Sequence, residues 1–262
     1  MKTKYRADFH IHTKASFDGY NSYSNIYKNA QKHSLDIIAI TDHDTIKGAQ
    51  EFLKWLKKHK KDDLDVILGE EVTCLDGTHI IGLFLKEHIP SDTPLNVIQE
   101  IKRQNGLVYF PHPARKDGIL NSKEVIQAVK LGDLFEVFNG KVHQSFNNIA
   151  QNSFAKFQHM IPLGGSDAHY NADIQKCICT IELENKSTLL DALKIKKIKS
   201  ILIEGHKNET TTLYFGSYYK IKDILNLPQF VRDLGKRVYP FIRNYRNRNK
   251  IYKTEKVYYY EF

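Results

Sequence analysis

Histidines and acidic residues stand close together at several points of the chain. In Asp8-Phe9-His10-Ile11-His12-Thr13, two histidines are two residues apart in a run of strand-like sequence. A β-strand projects residues i and i+2 to the same face, so both imidazoles can reach one metal ion. Taken alone the pattern is weak evidence, because the chain contains 12 histidines.

Similar groups follow later apolar segments, at the point where each predicted strand ends. They are His43 within Thr41–Asp44, His112 between two prolines, and Asp167 with His169 after Gly164-Gly165-Ser166. The carboxyl ends of parallel strands build the active sites of open sheets and barrels in α/β proteins. We therefore expect these side chains to meet in space.

Acidic residues and one further histidine stand in or beside other predicted strands. Glu70 and Glu71 end another apolar segment, and strand alternation allows only one of them to face a shared site. His79 opens the next apolar segment. Glu136 lies inside the strand-like Leu134–Phe138, and the cost of burying a carboxylate indicates a nearby cation or hydrogen-bond donor. For Asp44 two roles are open, the N-cap of a helix that begins near Thr45 or a part in catalysis.

Together these groups indicate a metal centre. Asp, Glu and His recur at the ends of successive strands, and cysteine is absent from these positions. Imidazole and carboxylate ligands suit zinc, manganese or iron. The number of candidate ligands exceeds what one ion takes, so we expect two or three divalent metal ions.

The elements that position these residues alternate regularly along the chain. Predicted strands cover Ala7–His12, Leu35–Thr41, Leu64–Thr73, His79–Leu85, Leu107–Phe110, Leu134–Phe138, Ile161–Leu163, Ile178–Leu183 and Ser200–Ile203. Predicted helices cover Ser24–Ser34, Thr45–Lys60, Leu95–Gln104, Ser122–Leu131, Gln144–Phe157 and Thr188–Leu193. This alternation predicts an α/β fold with a mostly parallel sheet, open or closed into a barrel. After about residue 205 the pattern changes, and we expect a largely helical region.

Composition limits the classes of protein that the chain can belong to. The chain has 262 residues, of which 41% are hydrophobic and 26% charged, which favours one large domain with an appendage. No apolar stretch has the length of a membrane span and the first residues lack a signal region, so no membrane partner is expected. Three cysteines without a disulfide framework fit the reducing cytoplasm.

The net charge of +9 is concentrated near the carboxyl end. Val231–Phe262 holds nine Lys or Arg residues against three acidic ones, with tyrosines interleaved. Such a segment can bind a nucleic-acid backbone by neutralising phosphates and stacking on bases. The alternative, which we favour, is a solvated helix face whose aromatic residues turn toward the core.

As an ordered set, these motifs resemble the PHP family, the polymerase and histidinol phosphatase domain. The resemblance runs from about residue 5 to 205 and rests on Asp8–Thr13, Thr41–Asp44, Gly69–Thr73, His112-Pro113 and Gly165–His169. It implies a distorted (β/α)7 barrel with a trinuclear metal centre that hydrolyses phosphoesters. We expect this domain in residues 1–205 and a basic, mainly helical carboxy-terminal extension in residues 206–262.

The resemblance also implies the roles of individual residues. According to the resemblance, nine residues are metal ligands: His10, His12, Asp18, His43, Glu71, His79, His112, Asp167 and His169. It favours Glu71 over Glu70, and it makes Asp8 and Asp44 residues that orient the ligand imidazoles.

The predicted activity is hydrolysis of a phosphomonoester on a small molecule or nucleotide. Metal ions generate the nucleophile, so no Ser or Cys nucleophile is needed. Arg115 is a candidate phosphate clamp because its fork matches phosphate geometry, the alternative being a surface arginine at a turn. A nuclease that uses the basic extension is the second hypothesis. A metal-stabilised binding module without activity is the third.

Overall fold

The computed structural model describes residues 3–185, 187–206 and 254–262. In these residues the strands are β1 (Lys4–Ile11), β2 (Ile37–Ile40), β3 (Asp65–Thr73), β4 (His79–Leu83), β5 (Leu107–Phe110), β6 (Leu134–Asn139), β7 (Ile161–Gly165), β8 (Cys177–Leu183), β9 (Ile198–Gly205) and β10 (Lys256–Glu261). The helices are α1 (Tyr23–Lys32), α2 (Lys47–Lys58), α3 (Pro94–Arg103), α4 (Val125–Leu131), α5 (Gln144–Phe154) and α6 (Leu189–Ile195).

All ten strands belong to one sheet, in the order β10-β9-β8-β1-β2-β3-β4-β5-β6-β7. The α/β class is confirmed, but the prediction of a mostly parallel sheet is wrong for the described residues. Parallel pairs join β1 to β2, β2 to β3, β5 to β6 and β6 to β7, whereas the other five pairs are antiparallel. Seven repeated strand–helix units are therefore not confirmed.

The reversal at β4 has a local cause. Only residues 74–78 connect β3 to β4, which is too short for the helical crossover that parallel strands need. Gly77 sits in this turn with a φ of 82°, a conformation that a side chain disfavours. A tight turn followed by antiparallel pairing results.

The two sides of the sheet approach each other and nearly close a barrel. Just beyond β7, Ala168 forms a parallel bridge with Ile11 of β1. The His12 amide donates to the Ala168 carbonyl at 3.0 Å, and the Gly164 amide donates to the Cys179 sulfur at 3.1 Å. The carboxyl ends of β1 and β7 consequently lie side by side.

Strand alternation explains the continuous apolar segment in β2. All four of its residues are buried. Ile37 and Ala39 belong to one core cluster together with Phe9, while Ile38 and Ile40 belong to a second cluster with Phe52 of α2. A strand covered on both faces needs apolar residues at every position.

The predicted carboxy-terminal extension is described only at its end. Residues 207–253, with nearly all of the predicted basic segment, lie outside the described residues. For the last residues the helical prediction is wrong, because Lys256–Glu261 forms β10, antiparallel to β9. Tyr258 and Tyr260 place their rings 5.9 Å from Phe138 and Phe154, so this strand packs on the same core. None of the described helices combines the length and apolar composition needed to cross a membrane.

Candidate metal centre

All nine predicted ligands lie at one end of the sheet. His10 lies in β1 and His12 directly follows it, Glu71 lies in β3 and His79 is the first residue of β4. The remaining residues stand in the segments that follow strands or in the turn before α1: Asp18, His43, His112, Asp167 and His169. His79 reaches this end because β4 runs antiparallel to β3, which places its first residue opposite Thr73.

Glu71 is at the middle of this cluster. Its Oε2 lies 3.1 Å from the Nε2 atoms of both His10 and His12. Its Oε1 lies 2.9 Å from His79 Nδ1 and 2.9 Å from His112 Nε2. The carboxylate is buried and contacts four imidazoles.

Glu70 points away from the site. Its Oε1 lies 2.6 Å from His88 Nδ1, and its Oε2 accepts the Ile89 amide at 3.0 Å. Glu71 therefore faces the imidazoles and Glu70 does not, as strand alternation requires for adjacent residues.

A second group lies at the mouth of the site. Asp18 Oδ2 lies 2.8 Å from His169 Nε2 and 3.8 Å from His43 Nε2. Asp167 connects this group to β1, because its Oδ1 lies 3.2 Å from His169 Nδ1 and 3.5 Å from His12 Nε2. The Asp18 side chain is 34% exposed, which makes it the most exposed of the nine predicted ligands.

The arrangement of donor atoms suits divalent cations. Ligand atoms within 4.8 Å of one another form five overlapping groups, His12/Asp18/His43/His169, His10/Glu71/His112, His10/His12/Asp167, His43/Glu71/His79 and His79/His112/Asp117. The Nε2 atoms of His10 and His12 face each other at 3.1 Å. The Nδ1 atoms of His12, His43 and His112 are buried without a hydrogen-bond partner in the described structure. Facing imidazoles and unpaired ring nitrogens are the chemistry that a bound cation satisfies.

The charges of the site favour cations as well. Burial alone would raise the pKa of Glu71, but the imidazoles, first that of His43, lower it well below its ordinary value. Burial alone would also raise the pKa of Asp167, but Lys141 and His10 hold it well below its ordinary value. Burial would lower the pKa of His10, but the surrounding carboxylates raise it, that of Asp167 first. Both carboxylates are thus held as anions that attract positive charge.

Three site loops hold non-glycine residues at positive φ. The angles are 51° at Asp44, 27° at His112 and 51° at Asp167. Such conformations cost free energy and persist where the surrounding contacts enforce them. Here they turn the chain sharply after β2, β5 and β7, so that the side chains face one another.

Glu136 contacts two of the predicted ligands, His10 and His112. Its Oε1 accepts from the Tyr109 hydroxyl at 2.9 Å and lies 3.1 Å from His10 Nδ1. Its Oε2 accepts the His112 amide at 2.5 Å and the Asn139 side-chain amide at 2.9 Å. A carboxylate on the second ring nitrogen orients an imidazole whose Nε2 faces a metal site. The donors that its buried position indicated are therefore present.

Asp8 and Asp44 do not make the contacts with imidazoles that the resemblance implies. Asp8 Oδ1 accepts the backbone amides of His10 and Ser166, at 3.2 Å and 3.0 Å. Asp44 Oδ1 accepts the Thr73 amide at 2.7 Å. The N-cap alternative for Asp44 is also wrong, because its positive φ delays the helix and Ile46 precedes α2 as the cap. Both aspartates therefore stabilise the backbone of segments that carry or adjoin predicted ligands.

Arg115 lies at the rim of the site. Its Nε and Nη2 donate to the two carboxylate oxygens of Asp117 at 2.5 Å and 2.7 Å. Its Nη1 lies 3.8 Å from Asp167 Oδ2, and the side chain is 27% exposed. Asp117 thus holds one edge of the guanidinium, and the other edge lies near Asp167. The role of Arg115 as a phosphate clamp stays a prediction.

Two further residues reach the site without a prediction from the sequence. Lys141 Nζ lies 2.9 Å from His169 Nε2 and 3.4 Å from Asp167 Oδ1. Asp117 joins His79 and His112 in one of the ligand groups. Lys141 follows the end of β6, as the predicted ligands follow other strands, so its position was the available signal. Asp117 carries only the weaker signal of a carboxylate soon after His112.

Comparisons with known proteins agree with this geometry. The sequence model of the PHP domain matches residues 8–163. An uncharacterized protein of Methanocaldococcus jannaschii is 40% identical over 119 residues, which cover 41% of this chain and 67% of the relative. A 5′-3′ exoribonuclease of Haemophilus influenzae is 30% identical over 137 residues, 51% of this chain and 48% of that enzyme.

Solved structures show the same fold at low sequence identity. A two-domain protein of Bacteroides vulgatus containing a PHP-like metal-dependent phosphoesterase superposes with a TM-score of 0.61 at 16% identity, covering 78% of this chain and 76% of the other. A lesion-specific endonuclease of Pyrococcus furiosus reaches a TM-score of 0.58 at 15% identity, covering 76% and 58%. At these identities the likeness concerns the fold alone.

Proposed function

The chain belongs to the PHP domain family, and from this we propose that it is a phosphoesterase that hydrolyses phosphomonoesters of small molecules or nucleotides at a metal centre. One observation supports the proposal most strongly. Nine histidine and carboxylate side chains from seven different strands or following segments converge at one end of the sheet, in overlapping groups that can hold cations.

We assign two or three divalent ions of manganese, zinc or iron to these groups. His10, Glu71 and His112 form one candidate set of ligands, and His43, Glu71 and His79 form another. A third set is His12, Asp18, His43 and His169. When bound, such ions act as Lewis acids toward phosphate oxygens and lower the pKa of water, which supplies a nucleophile at neutral pH.

The chain itself supplies positive charge for the phosphate group. Arg115 Nη1 and Lys141 Nζ both lie within 3.8 Å of an Asp167 oxygen, so two cationic donors approach the same ligand from the rim. Asp117 holds the guanidinium edge of Arg115, which leaves its other amino group directed at the site. We propose that these two donors bind and orient the non-bridging oxygens of the ester.

A cysteine nucleophile is not part of the proposed mechanism. Cys74, Cys177 and Cys179 are buried and unpaired. Burial raises the pKa values of the Cys74 and Cys177 thiols, so these thiols stay protonated at neutral pH. Free thiols in this number also support our inference that the protein acts in the reducing cytoplasm.

A nuclease is the second candidate function. A relative at 30% identity is a 5′-3′ exoribonuclease, and a protein of the same fold is an endonuclease. The basic segment that would hold a nucleic-acid backbone, with Arg243, Arg246 and Arg248, lies outside the described residues. The support for a role of this segment in binding nucleic acid therefore comes from its composition.

One panel of substrates separates these candidates. Purified protein loaded with manganese is assayed against small phosphomonoesters, nucleotides with a terminal phosphate and short oligonucleotides, with a His43→Ala variant as the blank. We expect metal-dependent phosphate release from monoesters. Faster cleavage inside oligonucleotides would favour the nuclease instead. If no ester is cleaved above the His43→Ala blank, the binding module without activity becomes the better account.

A further inference from the structure

Phe17 is the most exposed of the large apolar side chains that the structure describes, at 81%. Burial of a side chain of this size stabilises a folded protein, and an exposed one does not make that contribution. Single exposed apolar residues are common on protein surfaces, and Ile126 is 68% exposed on α4. The position of Phe17 is what separates it from these.

The phenyl ring lies against a histidine of the metal centre. Its centroid is 5.1 Å from that of His43, with 33° between the two planes. Both sequence neighbours of Phe17 turn into the site. Ser16 Oγ accepts the His43 amide at 3.3 Å and donates to Asp18 Oδ1 at 2.9 Å. The ring therefore stands at the mouth of the site, and most of its surface faces solvent.

The turn that carries the ring is held firmly. The Ser16 amide donates to the Thr13 carbonyl at 3.2 Å, and the Gly19 amide donates to the Ser16 carbonyl at 3.3 Å. The Tyr20 amide then donates to the His169 carbonyl at 2.8 Å. A Cβ at Gly19 would lie 1.8 Å from the Thr13 oxygen, so only glycine allows this close approach. The backbone that carries the ring is consequently held at the mouth of the site.

We propose that Phe17 is a specificity residue that stacks on a nucleobase attached to the ester. An open aromatic face is recognised best by another flat ring, and stacking of a base on an aromatic side chain contributes about 1–3 kcal/mol. The phosphate would lie between Arg115 and Lys141, while the base would lie on the phenyl ring beside His43. This inference rests on the proposed function and narrows its substrate class to nucleotides.

The test compares two esters that differ only in the base. The full-length, manganese-loaded protein is assayed with adenosine 5′-monophosphate and ribose 5-phosphate, and kcat/KM is measured for each. We expect Phe17→Ala to lower the ratio of the adenosine 5′-monophosphate value to the ribose 5-phosphate value by about 5- to 150-fold and Phe17→Trp to keep this ratio. Ile126→Ala, which removes an exposed apolar side chain elsewhere, should leave the ratio at its wild-type value.

An unchanged ratio in Phe17→Ala would overturn the inference while the proposed function stands. If that variant does not fold, Phe17→Leu keeps an apolar side chain without a ring and should show the same loss. If the wild-type protein hydrolyses neither ester, the proposed function fails. Binding of the same two compounds, measured by calorimetry, then tests whether Phe17 recognises the base. Base-dependent binding that Phe17→Ala removes would support its role, and binding that ignores the base, or no binding, would overturn it.

Discussion

At the scale of single residues, the site depends on groups that are buried together and cannot be replaced one at a time. His10 and Asp167 are almost fully buried, and each belongs to a ligand group with His12. Removal of one ligand leaves its partners with unsatisfied charges and ring nitrogens in a dry environment. Loss of metal should follow more readily than loss of fold, because the core clusters lie elsewhere.

We predict that His10→Ala, His43→Ala and Asp167→Ala each lower turnover of a phosphoester by at least about 100-fold, since each removes a proposed metal ligand. Circular dichroism should show a folded protein in all three cases. His33→Ala and His59→Ala are the matched controls on helical segments away from the site and should keep most of the activity. Similar turnover in both groups of variants would show that the site lies elsewhere.

The buried carboxyl group of Asp8 should make the stability of the metal-free protein depend on pH. Burial raises the pKa of Asp8 to about 7, above its ordinary 3.8. Between these values the folded protein binds a proton that the unfolded chain has released, so this group makes the free energy of unfolding fall as pH rises. Urea unfolding in chelator at pH 4.5 and 7.5 should give a smaller fall for Asp8→Asn than for the wild type. Equal falls would contradict the prediction.

At the scale of elements, strand alternation decides which of two adjacent carboxylates serves the site. We predict that Glu71→Gln abolishes turnover and metal binding, because its carboxylate contacts four imidazoles. Glu70→Gln is the matched control and should keep the activity, since its side chain faces His88. Both variants are assayed with the same ester and titrated with manganese. Loss of metal binding in Glu70→Gln alone would reverse our assignment.

The sequence predicts the existence and position of β1 to β9 and α1 to α6 well, because apolar periodicity reports burial directly. It does not report strand direction. The antiparallel course of β4 depends on its short connection to β3, and that of β8 on its pairing with β1 across the nearly closed barrel. The sequence also predicts that the side chains at strand ends form one site, because an α/β fold brings these ends together.

The remaining parts of the site depended on tertiary contacts that periodicity does not contain. Asp8 and Asp44 accept backbone amides instead of imidazole protons, and only the packing of neighbouring loops decides this. Lys141 was missed because a lysine after a strand is ordinarily a solvated residue. The alternating Val257–Glu261 falls within the extension predicted to be helical, because the strand–helix alternation ends near residue 205.

At the scale of the whole molecule, we predict that metal ions contribute to stability as well as to activity. The ions bind only where the ligands have been assembled, so they stabilise the folded state by mass action. Chelation should lower the melting temperature and abolish hydrolysis, and manganese should restore both. A protein that melts unchanged after chelation and still cleaves phosphoesters would contradict the proposed metal centre.

The pairing of β9 with β10 allows an excision of residues 207–253, which hold nearly all of the basic segment, that keeps both strands in the chain. Gly205 and Lys256 are partners in the antiparallel ladder, so a short turn can replace residues 207–253. We predict that this excision keeps turnover of a small monoester. If the segment binds a nucleic-acid backbone, oligonucleotide turnover should fall, and the fall should shrink as salt rises. Unchanged oligonucleotide turnover at low salt would remove the nucleic-acid role.

Truncation after residue 206 is the matched comparison. It removes β10 as well, with the contacts that Tyr258 and Tyr260 make with Phe138 and Phe154. We expect the truncated protein to melt at a lower temperature than the excised one. Equal melting temperatures would show that β10 contributes little.

The same ladder has an evolutionary consequence. Because Gly205 and Lys256 are cross-strand neighbours, the stretch between them enters and leaves the sheet at one place. Insertions and exchanges are tolerated best where the two attachment points of a segment are adjacent. Descendants of this chain can therefore lengthen, shorten or replace that stretch while the pairing of β9 with β10 is kept.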